Sequence, residues 1–232
     1  MQIAIVILAA GKGTRMKSEM PKVLHEVAGA PLLMHCMKTA QTIEPEHLII
    51  VAGHGSEDVT KTAKTYAPDS QIVTQSAQLG TAHAVAQSRE ILSGFEGDLI
   101  ILYGDTPFIR PETLKKLAQA RQKSDLVILG FEANDPGRYG RLITSGTDLL
   151  EIVEYKEANA AQKDITLCNS GVLAGPAQLI FKLIEQVETS NNAGELYLTD
   201  CIALARAAGK SAGVVTCPEA ETLGVNSRRD LA

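Results

Sequence analysis

The sequence predicts an α/β fold: a mostly parallel mixed sheet with helices on both faces and a less regular second portion. Three observations lead there. Short apolar runs alternate with longer amphipathic segments through the first half, the pattern of repeated strand–helix units. The first run, residues 2–9, has no polar alternation, as expected of a parallel strand buried on both sides. That run opens directly into a glycine-rich loop, and ligand groups in such folds collect at strand carboxyl ends. The chain of 232 residues with 45% hydrophobic content is long enough for one large domain.

The elements follow in order. After the strand at 2–9, residues 31–40 read as a helix with Pro31 suited to its first turn. Residues 47–52 form the next strand. Residues 56–66 read as a helix, with Ser56 and Glu57 fitting its start. A weaker strand at 71–74 precedes a helix at 81–92 whose small residues allow close packing on a sheet. Residues 98–102 are a strong strand ending at Tyr103, Gly104 and Asp105. A helix at 111–122 and a strand at 126–131 complete the first portion, residues 1–134. In the second portion, 135–225, strands are expected at 140–144 and 149–155, joined through Gly146 and Asp148, and at 166–174 and 211–217. Helices are expected at 176–187 and 199–208. No Gly-, Ser- or Pro-rich linker divides the two portions, so residues 1–232 read as a single domain.

The charge balance, 27 acidic against 22 basic residues for a net charge of -5, argues against a nucleic-acid polymer as partner. Tryptophan is absent and aromatics are 4%, which disfavours stacking platforms for single strands. The apolar start at residues 3–10 is far short of the about 20 residues that span a membrane, and no basic-then-apolar leader precedes it. Cys36, Cys168, Cys201 and Cys217 show neither zinc spacing nor a disulfide framework. They read as small core residues, and a reducing cytoplasm is the expected location.

Leu8, Ala9, Ala10, Gly11, Lys12, Gly13, Thr14 and Arg15 carry the first chemical signal. Gly11 and Gly13 permit close approach of backbone N–H groups to phosphate, while Lys12 and Arg15 add positive charge. A tight turn with solvent-facing cations is the competing reading. The loop has neither the Gly-x-Gly-x-x-Gly dinucleotide pattern nor a Walker A ending. Lys22, restrained by Pro21, is placed to reach the same anion or to face solvent. His25 lacks a neighbouring carboxylate and reads as structural. Gln75 and Gln78 offer amide donors and acceptors that suit a pyrimidine edge, and Thr81 suits a helix cap or a base contact. Asp105 at a strand end can coordinate a magnesium ion or cap a turn, and Gly104 leaves room beside it.

The stretch 8–15 followed by Pro21-Lys22-Val23-Leu24 resembles the sugar-phosphate nucleotidyltransferases. The closer similarity is to the N-acetylglucosamine-1-phosphate uridyltransferase domain of the bacterial bifunctional enzymes that make UDP-N-acetylglucosamine for cell-wall synthesis. The resemblance extends through 75–82, 102–107, 139–141, 152–156, 168–171, 191–200 and 223–228. It implies a Rossmann-like nucleotide-diphospho-sugar transferase fold, with 1–134 as the nucleotide-binding portion and 135–225 as the sugar-binding one. It implies UTP held by Leu8, Ala9, Ala10, Gly11, Gly13, Arg15, Lys22, Gln75, Gln78, Gly80, Thr81, Tyr103 and Gly104. N-acetylglucosamine 1-phosphate is implied at Gly140, Glu154 and Asn169, and Mg2+ at Asp105 and Asn226. Sequence spacing alone does not pair those last two. Tyr155 and Ser170 depart from the commoner family residues, and the stretch before Gly194 is one residue short.

The implied chemistry is attack by a sugar 1-phosphate on the α-phosphorus of UTP, with Arg15, Lys22 and Asp105 as the catalytic set. The nucleophile is already anionic, so positioning and charge compensation suffice without a Ser-His-Asp arrangement. Two other readings stay open: a nucleotidyltransferase for another hexose 1-phosphate or nucleotide, and a regulatory nucleotide-sugar-binding domain without turnover. The hexapeptide repeats of the left-handed β-helix that carries acetyl transfer in this family do not occur in these residues. Neither acetyl-CoA binding nor trimerisation is therefore expected from them, and self-association is left open.

Overall fold

The computed structural model describes residues 2–189, 191 and 194–231. Its elements are β1 (Ile3–Ala9), β2 (Glu26–Val27), β3 (Ala30–Pro31), α1 (Leu32–Gln41), β4 (His47–Ala52), α2 (Ser56–Tyr66), β5 (Gln71–Thr74), α3 (Thr81–Ala86) and β6 (Asp98–Tyr103). There follow α4 (Pro111–Ala120), β7 (Leu126–Glu132), β8 (Arg141–Ser145), β9 (Asp148–Val153), α5 (Ala160–Lys163) and β10 (Leu167–Pro176). The chain closes with α6 (Ala177–Ile184), α7 (Asp200–Ala207), β11 (Ala212–Thr216) and α8 (Arg228–Leu231).

Nine strands form one mixed sheet in the order β5-β4-β1-β6-β10-β7-β11-β9-β8. β1 is parallel to both β4 and β6, in register from Ile3 opposite Asp98 to Leu8 opposite Tyr103. The chain runs outward from β1 through β4 to β5, then returns across the sheet to β6. The strand order therefore reverses between β1 and β6, the place where ligand crevices open in sheets of this kind. β10, from the second portion of the chain, is antiparallel to β6 and β7 and sits between them. The 1–134 and 135–225 portions thus share one sheet.

The continuous apolar run of β1 is explained by two cores. Ala4, Val6 and Leu8 pack with residues of α3, α6 and α7 on one face. Ile5, Ile7 and Ala9 pack with α1, α2 and α4 on the other. Each buried Ile or Leu contributes roughly 1.5–3 kcal/mol, so neither face of β1 tolerates a polar side chain. Cys36, Cys168 and Cys201 are buried and Cys217 is half-buried, all as free thiols. Burial pushes the Cys201 thiol up to about 12, so it stays protonated as a core residue. No helix among the described residues is long and apolar enough to cross a membrane.

Most expected elements are present with ends shifted by one to three residues, as at α4 and α6, which stop at Ala120 and Ile184; two differences have a visible cause. The helix expected over 81–92 ends at Ala86. Beyond it the backbone tightens: Ser88 N–H bonds to Val85 O, Arg89 N–H bonds to Ala86 O, and the Ser88 hydroxyl also donates to Val85 O. A side chain that competes for a helix carbonyl in this way favours turns over continued helix. Pro31 precedes α1 rather than entering its first turn, because it is paired in the β2–β3 ribbon.

Candidate active site

The carboxyl ends of β1 and β6 border a cleft of about 270 Å³. Leu8, Ala9, Ala10, Gly11, Lys22, Gln75, Gln78, Gly80, Thr81, Tyr103 and Asp105 all line it. Within the first loop the two glycines have different reasons. Gly13 has φ +58°, and a Cβ there would meet Lys22 Cβ at 2.6 Å, so glycine is what lets Lys22 fold over the loop. A Cβ on Gly11 would meet nothing, so its bare backbone keeps the cleft open.

Four polar side chains gather beside the loop. Lys22 Nζ donates to Asp105 Oδ2 in a tight, mostly buried ion pair, and to Asn226 Oδ1 at 3.2 Å. Arg15 Nη2 donates to the same Asn226 oxygen at 2.9 Å. The fold brings Asn226 there through a backbone bond from Val225 N–H to Asp105 O at 2.9 Å. Asp230 on α8 holds it, accepting from the N–H groups of Asn226 and Ser227 at 2.9 and 2.8 Å. Those N–H bonds hold the Asp230 carboxyl below its usual range. Asp230 is a site residue that sequence reading missed; an acid three residues after Ser227 was the available signal.

The oxygens of Asp105 and Asn226 converge on one ammonium group. Two hard oxygen donors aimed at a single cationic centre suit Mg2+, which keeps water and phosphate among its other ligands. No cluster of three or more His, Cys, Asp or Glu side chains placed to hold a metal ion occurs among the described residues.

The loop over residues 75–80 is held from inside. Gln75 is buried; its amide donates to Gly80 O at 3.0 Å and lies 2.9 Å from His83 Nδ1. Gln78 donates to Ala10 O at 2.7 Å, tying this loop to the first one. Gly80 has φ +119°, and a Cβ there would meet the Leu196 backbone at 2.5 Å. That close approach lets residues 79–82 pair with Leu196, through Ala82 N–H to Leu196 O and Leu196 N–H to Leu79 O. Thr81 accepts from Leu198 N–H at 2.9 Å and bonds the Tyr103 hydroxyl. Burial, then the nearby Asp105 and Glu154 charges, drive the Tyr103 phenol upward, so it stays protonated.

A second cavity of about 520 Å³ is lined by Arg15, Arg138, Glu154, Tyr155, Lys156 and Tyr197. Gly140, Glu154 and Asn169 meet at its edge: a Cβ on Gly140 would lie 3.5 Å from Glu154 Oε1 and 3.6 Å from Asn169 Cβ. Asn169 N–H donates to Gly140 O at 2.8 Å. The β10–β7 register shifts just past Asn169, and Ser170 Oγ donates to Leu129 O at 2.7 Å across the gap. The serine at this position is thus used to close an irregular ladder. Of the 191–200 stretch, Asn192 and Ala193 lie outside the described residues. Glu195 lines the first cleft.

Burial raises the Glu154 carboxyl above its ordinary value, partly opposed by the Thr199 hydroxyl that donates to it at 3.2 Å, with the Asp200 charge adding to the rise. The folded chain therefore keeps a proton that the unfolded chain has lost. Stability from this group is fully present below the ordinary glutamate range and is lost as pH rises through the raised value. Glu154→Gln is expected to flatten that part of the stability–pH curve, leaving the contribution of Asp200, whose carboxyl burial also raises. Urea unfolding midpoints from pH 4 to 8 check this; parallel curves for both proteins would contradict it.

A family model described as the MobA-like NTP transferase domain matches residues 5–168. The chain belongs to this family. It is similar to proteins called bifunctional protein GlmU. That of Ruegeria sp. (strain TM1040) is 55% identical over 232 residues, covering 100% of this chain and 52% of the relative. That of Cereibacter sphaeroides is 54% identical over 230 residues, covering 99% and 51%. The chain spans about half the length of the curated relatives it matches. Among solved structures, an inositol-1-phosphate CTP transferase from T. maritima superposes with TM-score 0.79 at 19% identity, covering 100% of this chain and 92% of that one. A UDP-glucose pyrophosphorylase complexed with UDP-glucose gives 0.75 at 18% identity, covering 100% and 96%. Both support the nucleotidyltransferase fold. The MobA-like match ends at residue 168, so Asn169 and Asn226 join the site from beyond it.

Proposed function

We propose that the chain catalyses Mg2+-dependent transfer of a uridylyl group from UTP to N-acetyl-α-D-glucosamine 1-phosphate, giving UDP-N-acetylglucosamine and pyrophosphate. The observation that carries this reading is that Arg15, which lines the second cavity, and Lys22, which lines the first and pairs with Asp105, both bond the Asn226 oxygen. The 53–55% identity to the GlmU proteins supports it.

In this reading the 75–81 loop and Ala10 receive the uracil and ribose, while backbone N–H groups from Ala10 to Gly13 face the phosphates. Gly140, Glu154 and Asn169 hold the sugar; Asn169 Oδ1 already accepts from Gly171 N–H at 2.9 Å, which orients the amide. A phosphate oxygen of the sugar 1-phosphate attacks the α-phosphorus. The bond from that phosphorus to the bridging oxygen breaks, and pyrophosphate leaves with the electron pair. No proton transfer is required, so the side chains act by position and charge. Asp105 and Asn226 would hold Mg2+, which supplies charge neutralisation on the phosphates. Lys22 and Arg15, which share the Asn226 oxygen, would turn to the triphosphate.

Pyrophosphate release with UTP, Mg2+ and N-acetylglucosamine 1-phosphate tests the reading. Release that requires all three and exceeds that with glucose 1-phosphate or with dTTP is the expected result. Nucleotide-sugar binding without release would replace the enzyme with a regulatory domain.

A further inference from the structure

Arg141 is 2% exposed and forms no ion pair among the described residues. A buried charge without a counter-ion is costly unless dipoles replace its water. Here backbone carbonyls do so. One guanidinium nitrogen donates to Tyr139 O and, at 3.3 Å, to Pro136 O. The second terminal nitrogen donates to Gly137 O at 3.2 Å and to Lys163 O, the last residue of α5, at 3.1 Å, while the buried Nε has no hydrogen-bond partner among the described residues. The guanidinium also lies 5.8 Å from the centre of the Tyr155 ring, which takes Lys163 Nζ at 5.0 Å.

Those partners belong to three separate pieces of chain, of which the 136–139 loop and Tyr155 reach the second cavity through Arg138 and Tyr155. The 136–139 loop leads into Gly140, whose carbonyl holds the Asn169 backbone. Tyr155 and Arg138 line the cavity itself, next to Glu154. Through these bonds one guanidinium joins the loop before Gly140, the end of α5 and the Tyr155 ring. We infer that Arg141 is a positioning residue for the acceptor sugar: it turns the 136–139 carbonyls inward and fixes Gly140, Tyr155 and the end of α5 as one wall. The inference rests on the proposed function for the identity of the sugar, not for the clamp. Lysine cannot replace it fully, because a single ammonium lacks the planar fork that reaches several separated carbonyls.

The test uses Arg141→Lys and Arg141→Met beside the wild-type chain. In ligand-free protein, amide hydrogen exchange is expected to quicken at 137–140 and 155–163 in both variants, with 75–81 unchanged. In turnover, the KM for N-acetylglucosamine 1-phosphate is expected to rise on the order of tenfold to a hundredfold in Arg141→Met, less in Arg141→Lys, with the KM for UTP little moved. Unchanged exchange in the two segments would overturn the inference, as would equal rises in both KM values. If Arg141→Met does not fold, Arg141→Lys carries both measurements. A wild-type chain without turnover would sink the proposed function, while the exchange experiment would still judge Arg141.

Discussion

Asp105→Ala is expected to fold normally and to lose on the order of a hundredfold to a thousandfold in kcat/KM with Mg2+. The side chain is outside both apolar cores, and the backbone bond from Val225 to Asp105 O does not depend on it. What the substitution removes is the carboxylate that Lys22 pairs with; the neutral amide oxygen of Asn226 is left beside Lys22 and Arg15. Mg2+ affinity falls accordingly, and raising the metal concentration recovers part of the rate. The check is turnover across a Mg2+ titration, with circular dichroism and thermal unfolding to establish folding. A folded variant with wild-type turnover would remove Asp105 from the metal site.

Lys22→Ala produces the second large effect, and its pattern matters more than its size. A charge-assisted hydrogen bond is worth about 1.5–3 kcal/mol, so UTP binding is expected to weaken by roughly tenfold to a hundredfold. Uridine, which has no phosphate, is expected to bind the variant and the wild type alike. Mg2+ alone is expected to bind the variant more tightly, because the ammonium that sits against both the Asp105 and Asn226 oxygens is gone. Calorimetric titration with UTP, uridine and Mg2+ separates these outcomes. Equal losses for UTP and uridine would mean that Lys22 shapes the loop, as its packing against Gly13 allows, without touching phosphate.

Both predictions depend on long-range contacts: Lys22 and Asn226 are 204 residues apart in the chain. Asn226 was nominated by resemblance, since nothing in the spacing of Asp105 and Asn226 marks them as neighbours. Arg141 is a different case. Local sequence showed only a cation after Tyr139-Gly140 at a strand start, and a strand arginine usually reads as exposed. Its burial and its carbonyl partners at 136–139 and 163 exist only after β8 pairs with β9 and β10. The early end of α3 has the same character: residues 81–92 match a helix, and the turn after Ala86 shows only in the bonds from Ser88 and Arg89 to Val85 O and Ala86 O.

Local sequence alone determined the central strands of the first half, because a strand buried on both faces must be apolar along its buried length: β1 is so throughout, and β4 and β6 are so from Leu48 to Ala52 and from Leu99 to Leu102. It also determined the glycine loop after β1, because backbone freedom and phosphate access are properties of the residues themselves. The insertion of β10 between β6 and β7, the delivery of Asn226 to Asp105, and the inward turn of Arg141 were decided by tertiary structure. Strand order and long-range pairing are set by which surfaces bury one another, and no periodicity along the chain records that choice.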